Sequence, residues 1–296
     1  MVKKVTITGD LGSGKSVIAS LITEMWGFKK YSTGAAQRQI AQKYGMSTLE
    51  LNQYTDTHPE IDQEIDAVSI ELGKNDENLV MDSRMAWHFI PHSFKIKLKV
   101  DIEIAADRVM ADKSRNSEKY DSKEQAIQRL QERRASEVAR FKRVYNIDLE
   151  DDTNYDVVID TSFASTIEVR DVIKMLAEKK WAKRKFARHW MSPKRLFPSK
   201  LSSRISEKAS QKLQNGLKNY RLPVKATYFN DQYFIVYGYN RASAALLQNV
   251  AFLPVNVVGL PVAEEEFRKD LSLYEIQEWE KAHAFKFNHY PTLITS

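Results

Sequence analysis

Gly9-Asp10-Leu11-Gly12-Ser13-Gly14-Lys15-Ser16 fits the spacing G-x-x-x-x-G-K-[ST]. Glycines at these positions let backbone N–H groups turn inward around phosphate oxygens, and a helix starting at the end of the loop adds the partial positive charge of its N-terminus. Lys15 reaches the outer phosphates of a nucleoside triphosphate, and Ser16 offers a hydroxyl to magnesium. The chemistry indicated is work on the phosphates of a nucleoside triphosphate with Mg2+, with Gly9, Gly12, Ser13, Gly14, Lys15 and Ser16 as the expected contacts; the loop alone does not separate kinases from GTPases or motor ATPases. Met81-Asp82-Ser83 places a carboxylate at a strand end, where Asp82 can hold the magnesium shell together with Ser16. This stretch lacks the Asp-Glu pair with which motor ATPases activate water, which argues against hydrolysis as the main reaction. No [NT]-K-x-D guanine-reading segment occurs.

An acceptor that itself carries a phosphate brings two polyanions together and needs arginines beyond Lys15. Arg38 follows Ser32-Thr33-Gly34, Arg84 follows Asp82, and Arg129, Arg133 and Arg140 share one long charged helix. At about 100° per residue the last three fall within about 40° of one another, a cationic stripe able to close over phosphates. Glu132, Glu137 and Asp148 supply the competing reading, surface ion pairs of small energetic consequence.

The elements that must position these residues are legible as a strand at Val5 to Thr8, the loop, and a helix from Ser16 to Trp26 with Ile18, Leu21, Ile22 and Met25 on one face. Pro59 to Lys74 is an amphipathic helix through Ile61, Ile65, Val68 and Leu72. Leu79 to Met81, Ile96 to Val100 and Val157 to Ile159 are further strands, and Ile167, Val172, Ile173 and Leu176 mark a closing helix. Alternating strands and helices predict an α/β fold, a parallel sheet covered by helices on both faces, with the arginine-bearing helix as a lid.

At 296 residues and 43% hydrophobic the chain has material for two domains. The expected division is a phosphate-loop domain over residues 1–178, a basic linker over 179–204, and a smaller α+β domain over 205–296. The linker holds ten of the Lys and Arg residues and no acid, so the net charge of +6 leaves −4 for the remainder. Such a segment fits either a solvated linker or a nucleic-acid or nucleotide contact. Beyond it, Ile205, Ala209, Leu213 and Leu217 mark a helix. Val224 to Phe229 and Tyr233 to Tyr237 flank a turn at Asn230-Asp231-Gln232, Asn240 to Leu247 is helical, and Val255 to Val258 is extended. Trp279, Phe285, Phe287 and Tyr290 are expected to pack in a core. There are no cysteines, which excludes disulfides, thiolate metal sites and a cysteine nucleophile. No apolar run approaches the roughly 18 residues of a membrane span, and the first residues enter a strand without a signal-type stretch, so a cytoplasmic protein without membrane contact is expected.

With these residues assembled, residues 1–178 resemble the cytidylate kinases, in particular the short archaeal-like type within the nucleoside monophosphate kinase family. The likeness rests on the phosphate loop, Ser32-Thr33-Gly34 with Arg38, and Pro59-Glu60-Ile61-Asp62-Gln63-Glu64-Ile65-Asp66. It continues through Asp82-Ser83-Arg84, the helix from Arg133 to Phe141, Tyr145-Asn146-Ile147-Asp148 and the run from Tyr155 to Ser162. It implies transfer of the ATP γ-phosphate to CMP or dCMP without a covalent enzyme intermediate. In that reading Thr33, Arg38, Asp82 and Arg84 belong to the acceptor side, Arg108 to the ATP side, and Lys15, Arg133 and Arg140 act on the transferring group. The chain departs from the family pattern at Ser83, usually glycine, at Arg134, commonly an acid, and at Asp112, where a second arginine often stands. Residues 205–260 distantly resemble the ParB and sulfiredoxin type of nucleotide-binding domain through Tyr233 to Ala244 and Leu253-Pro254-Val255, with Asn240 where that family commonly has His or Arg. Two other readings follow from the same residues: a kinase whose acceptor is a nucleic-acid base or another metabolite, and a nucleotide-sensing module.

Overall fold

The computed structural model describes residues 2–46, 50–51, 54–55, 58–112, 120–200 and 222–287. The chain divides into two compact units, Met1–Val158 with Val169–Arg184, and Ile159–Glu168 with Lys185–Ser296.

In the first unit β1 (Lys4–Gly9) leads through the glycine-rich loop into α1 (Lys15–Trp26). Then come β2 (Lys29–Ser32), α2 (Thr33–Lys43), α3 (Pro59–Lys74), β3 (Leu79–Asp82), the single turn α4 (Ala86–Phe89) and β4 (Phe94–Lys99). α5 (Ile102–Ala111), the long α6 (Lys123–Tyr145), β5 (Val157–Asp160) and α7 (Thr166–Trp181) follow, with Ile159 and Asp160 of β5 and the start of α7 up to Glu168 belonging to the second unit. The strand order is β2-β3-β1-β4-β5. β1 runs parallel to both β3 and β4, and β2 runs parallel to β3. Val5, Ile7, Val80, Met81, Ile96 and Leu98 are fully buried, as expected for parallel strands covered on both faces. The order places the carboxyl ends of β1 and β3 side by side, where ligands of open α/β sheets bind.

Two sequence expectations change in detail. Ile167 is exposed, because the buried face of α7 is made instead by Val169, Val172, Ile173, Leu176 and Ala177. β4 is apolar on one side only: Lys95, Lys97 and Lys99 alternate with Phe94, Ile96 and Leu98. Lys97 and Lys99 are nevertheless buried, since Lys97 donates to the Leu149 carbonyl at 2.8 Å and to Asp152 at 3.1 Å, and Lys99 donates to Asp152 at 3.0 Å.

The second unit contains β6 (His189–Met191), β7 (Leu196–Phe197), β8 (Val224–Phe229), β9 (Gln232–Tyr237), α8 (Tyr239–Leu247), β10 (Leu253–Val258), α9 (Glu264–Asp270) and α10 (Leu273–His283). Its order, β6-β10-β8-β9-β7, is mixed: β10 pairs antiparallel with β6 and parallel with β8, and β9 pairs antiparallel with β8 and parallel with β7. The β8–β9 hairpin turns on Asn230 and Asp231, at φ 46° and 59°, the left-handed pair that matches strand twist in a two-residue loop. Phe197, Phe234, Phe267, Trp279 and Phe287 form the core with Phe285 against it. Tyr290 and the helix expected at Ile205 to Leu217 lie outside the described residues.

The expected basic linker is corrected between His189 and Phe197, which form β6, a 3₁₀ turn and β7. His189, Met191, Leu196 and Phe197 are buried there, an apolar pattern that the density of cations conceals. Arg195 is buried as well, its Nε donating to Asp160 at 2.9 Å and its Nη1 to Gln232 at 3.2 Å. Lys180, at the end of α7, is taken up by Asp156 at 2.6 Å. Both residues are therefore spent on protein carboxylates, and the segment offers fewer cations to a nucleic acid than its composition suggests.

Candidate active site

The phosphate loop is shaped by two close approaches. A side chain at Gly9 would run into the Leu98 carbonyl of β4, and a Cβ at Gly12, where φ is +80°, would stand 2.9 Å from the Ala105 Cα of α5. The Asp10 amide donates to the Leu98 carbonyl at 2.9 Å, and Ser13 closes the turn by donating its hydroxyl to the Asp10 carbonyl at 2.7 Å. Asp10 accepts from the Val100 amide at 3.1 Å, and its burial raises its pKa. Gly14 ends the loop in a left-handed conformation and caps α1, so the helix N-terminus opens at Lys15.

β3 delivers Asp82 to this point, in register with Ile7 of β1 and Ser32 of β2. Lys15 Nζ lies 2.9 Å from Asp82 Oδ1, and Ser16 donates its hydroxyl to Oδ2 at 2.7 Å. Burial lowers the pKa of Lys15 and the charge on Arg84 acts in the same direction, while Asp82 opposes both. Ser16 and Asp82 are a pair of hard oxygen donors, which suits Mg2+, an ion that keeps waters and phosphate oxygens in its shell. Among the described residues no three His, Asp or Glu side chains gather into a metal cage. The residues present thus fit ATP and Mg2+.

Arg84 joins the phosphate loop to α6. Its Nη1 donates to the Gly9 carbonyl, and its Nη2 lies 3.1 Å from Glu137 Oε2 on α6. Arg133, one turn before Glu137, donates Nε–H to Oε1 at 3.4 Å. Arg108, on α5, donates to the Gly12 carbonyl at 3.1 Å and so borders the phosphate loop. Arg140 lies about two turns beyond Arg133 on the same stripe, partly buried. Arg129 stays exposed and pairs with Glu132 at 3.2 Å, as the surface reading has it. Thr33 opens α2 behind the Ser32 cap. Arg38 is exposed one turn on, its Nη1 3.7 Å from where a Cβ on Gly34 would stand.

Two of the three departures from the family pattern, Ser83 and Arg134, have local roles. Ser83 is buried and its hydroxyl accepts from the Met85 and Ala86 amides at 3.3 and 3.2 Å, fixing the turn between β3 and α4. Arg134 donates twice to Glu150, at 3.2 and 2.6 Å, a fork that ties α6 to the segment after it. Lys97, Lys99 and Glu150 are neighbours that sequence reasoning missed, the lysine alternation of β4 being the signal that marks two of them, and Glu137, read from the sequence as a surface ion-pair partner, also meets Arg84. In the second unit, Gly238 (φ +99°) precedes α8, and the Arg241 guanidinium sits over the Tyr237 ring at 5.4 Å.

Residues 4–163 match the cytidylate kinase-like family. The cytidylate kinase of Methanocaldococcus jannaschii is 37% identical over 163 residues, 53% of this chain and 88% of that protein. That of Methanosarcina barkeri is 30% identical over 175 residues, 58% of this chain and 94% of that protein. An S-adenosylmethionine-dependent nucleotide dehydratase of Lacinutrix mariniflava is 37% identical over 174 residues, which make up 35% of its length. Among solved structures, a shikimate kinase from Bacteroides thetaiotaomicron gives a TM-score of 0.42 at 12% identity, covering 60% of this chain and 98% of that one. With the family's pattern running through more than half of the residues and its kinases covered nearly end to end, this protein belongs to the cytidylate kinase-like family of nucleoside monophosphate kinases.

Proposed function

We propose that the first unit moves the γ-phosphoryl group of ATP to a pyrimidine nucleoside monophosphate, CMP or dCMP, with Mg2+ as cofactor. The observation that carries this reading is the convergence of donor and acceptor machinery: Lys15 and Ser16 both bond Asp82, while Arg84 spans from the phosphate loop to the lid helix. The cytidine acceptor is supported by the relatives named as cytidylate kinases.

The chain's own groups do electrostatic work. The second ionisation of a phosphate monoester lies near pH 6, so the acceptor oxygen is already anionic at neutral pH and no general base is required. That oxygen forms the new bond to the γ-phosphorus, and the bond from phosphorus to the oxygen bridging to ADP breaks. Arg84, with Thr33 and Arg38 at the rim, holds the acceptor phosphate; Lys15, Arg133 and Arg140 meet the charge on the group in flight; Arg108 borders the donor phosphates. Ser16 and Asp82 would hold Mg2+, which would supply positive charge against the donor phosphates. Closure of α6 would keep water from the γ-phosphate.

The test offers CMP, dCMP, UMP, dUMP, dTMP, AMP and GMP in separate reactions with ATP and identifies the diphosphate formed. Turnover confined to CMP and dCMP is expected. Equal rates on AMP or GMP would remove the pyrimidine assignment and leave the kinase one.

A further inference from the structure

Glu137 stands between two guanidinium groups from distant parts of the sequence. One belongs to Arg133 on the same helix, at 3.4 Å, and the other to Arg84 at the end of β3, at 3.1 Å. An Arg–Glu pair four residues apart on a helix is by itself an ordinary surface contact. The second partner is what sets Glu137 apart, because Arg84 is held at the same time by the Gly9 carbonyl of the phosphate loop. The Glu137 side chain is 26% exposed, so it is open to displacement by a ligand, and its negative charge is felt at Lys15. A carboxylate accepting from two arginines at the rim of a phosphate loop presents the charge and acceptor geometry of a pair of phosphate oxygens.

Resting on the kinase reading above, we propose that Glu137 is a positioning residue: it occupies Arg84 and Arg133 as an internal stand-in for phosphate, and it yields them to the entering polyanion. Held in this way, the two arginines do not repel one another or splay into solvent. The phosphates must displace a carboxylate to reach them, which weakens binding, but they meet arginines already in place, which favours transfer. Neutralising Glu137 therefore separates two quantities that a merely structural residue would move together. Affinity for phosphate rises and turnover falls.

The experiment uses the full chain as wild type, Glu137→Gln and Glu137→Asp, titrated calorimetrically with inorganic tripolyphosphate and then assayed for transfer to CMP. Glu137→Gln should bind tripolyphosphate about three- to tenfold more tightly, the size of effect expected for a partly exposed charge pair, while kcat falls about tenfold. Glu137→Asp keeps the charge and should stay within about twofold of wild type in affinity. Equal or weaker tripolyphosphate binding by Glu137→Gln overturns the proposal. A second readout needs no substitution: the Arg84 and Arg133 Nε–H resonances of the wild-type protein should shift together as tripolyphosphate is added, and resonances that stay in place overturn it as well. Tripolyphosphate binding is measured without any nucleoside acceptor present. Silence on every monophosphate would count against the kinase reading, while the affinity ratio still decides the role of Glu137.

Discussion

Lys15 is the residue on which donor chemistry converges, and its environment sets a pH dependence. Burial, aided by Arg84, holds its pKa below the ordinary lysine value of 10.5 in the free protein. Bound phosphate raises that pKa, so the contribution of Lys15 to ATP affinity is fully present below the free-protein pKa, starts to fall above it and is lost as pH rises through the bound-state pKa. The kcat/KM for ATP should accordingly bend downward on the alkaline side before pH 10.5, and a profile flat to that value would contradict this account. The role proposed for Lys15 was legible because phosphate chemistry dictates residue types at short fixed spacings. Glu137 was not, since sequence periodicity shows only its partner one turn away, and Arg84 meets it through a contact spanning 53 positions.

At the scale of elements, buried polar pairs and turn conformations give the sharpest expectations. Arg195 of the turn before β7 and Asp160 at the end of β5 form an ion pair with side chains 6% and 3% exposed. Arg195→Met leaves the carboxylate buried without its partner and should cost about 3–5 kcal/mol in urea unfolding, while the further change Asp160→Leu should recover most of it. A single substitution that costs less than about 1 kcal/mol would show the pair to be dispensable. In the β8–β9 hairpin, Asn230 sits at φ 46°, where a β-branched residue is strained. Asn230→Val should cost about 1–2 kcal/mol, and Asn230→Gly should be nearly neutral in the same measurement. The hairpin and its turn were readable from Asn-Asp between two β-rich runs. The strands at His189–Met191 and Leu196–Phe197 were not, because their pairing with β10 and β9 is non-local and their cations made the segment look solvated.

For the molecule as a whole, strand–helix alternation in the first half announced a parallel sheet, and the order β2-β3-β1-β4-β5 brings the loop after β1 next to Asp82 at the end of β3. The mixed sheet of the second unit was only partly foreseeable, since a short strand such as β7 gives two residues of signal. The central claim, that the cleft at Lys15, Asp82 and Arg84 transfers phosphate to a nucleotide acceptor, is tested most directly by ADP formation from ATP and Mg2+ with and without CMP, in the wild type and in Lys15→Met. The account predicts ADP production that requires CMP and matches CDP formed mole for mole, with a loss of about 10²–10³-fold or more in Lys15→Met. ADP released at the same rate without CMP, or transfer retained by Lys15→Met, would contradict it.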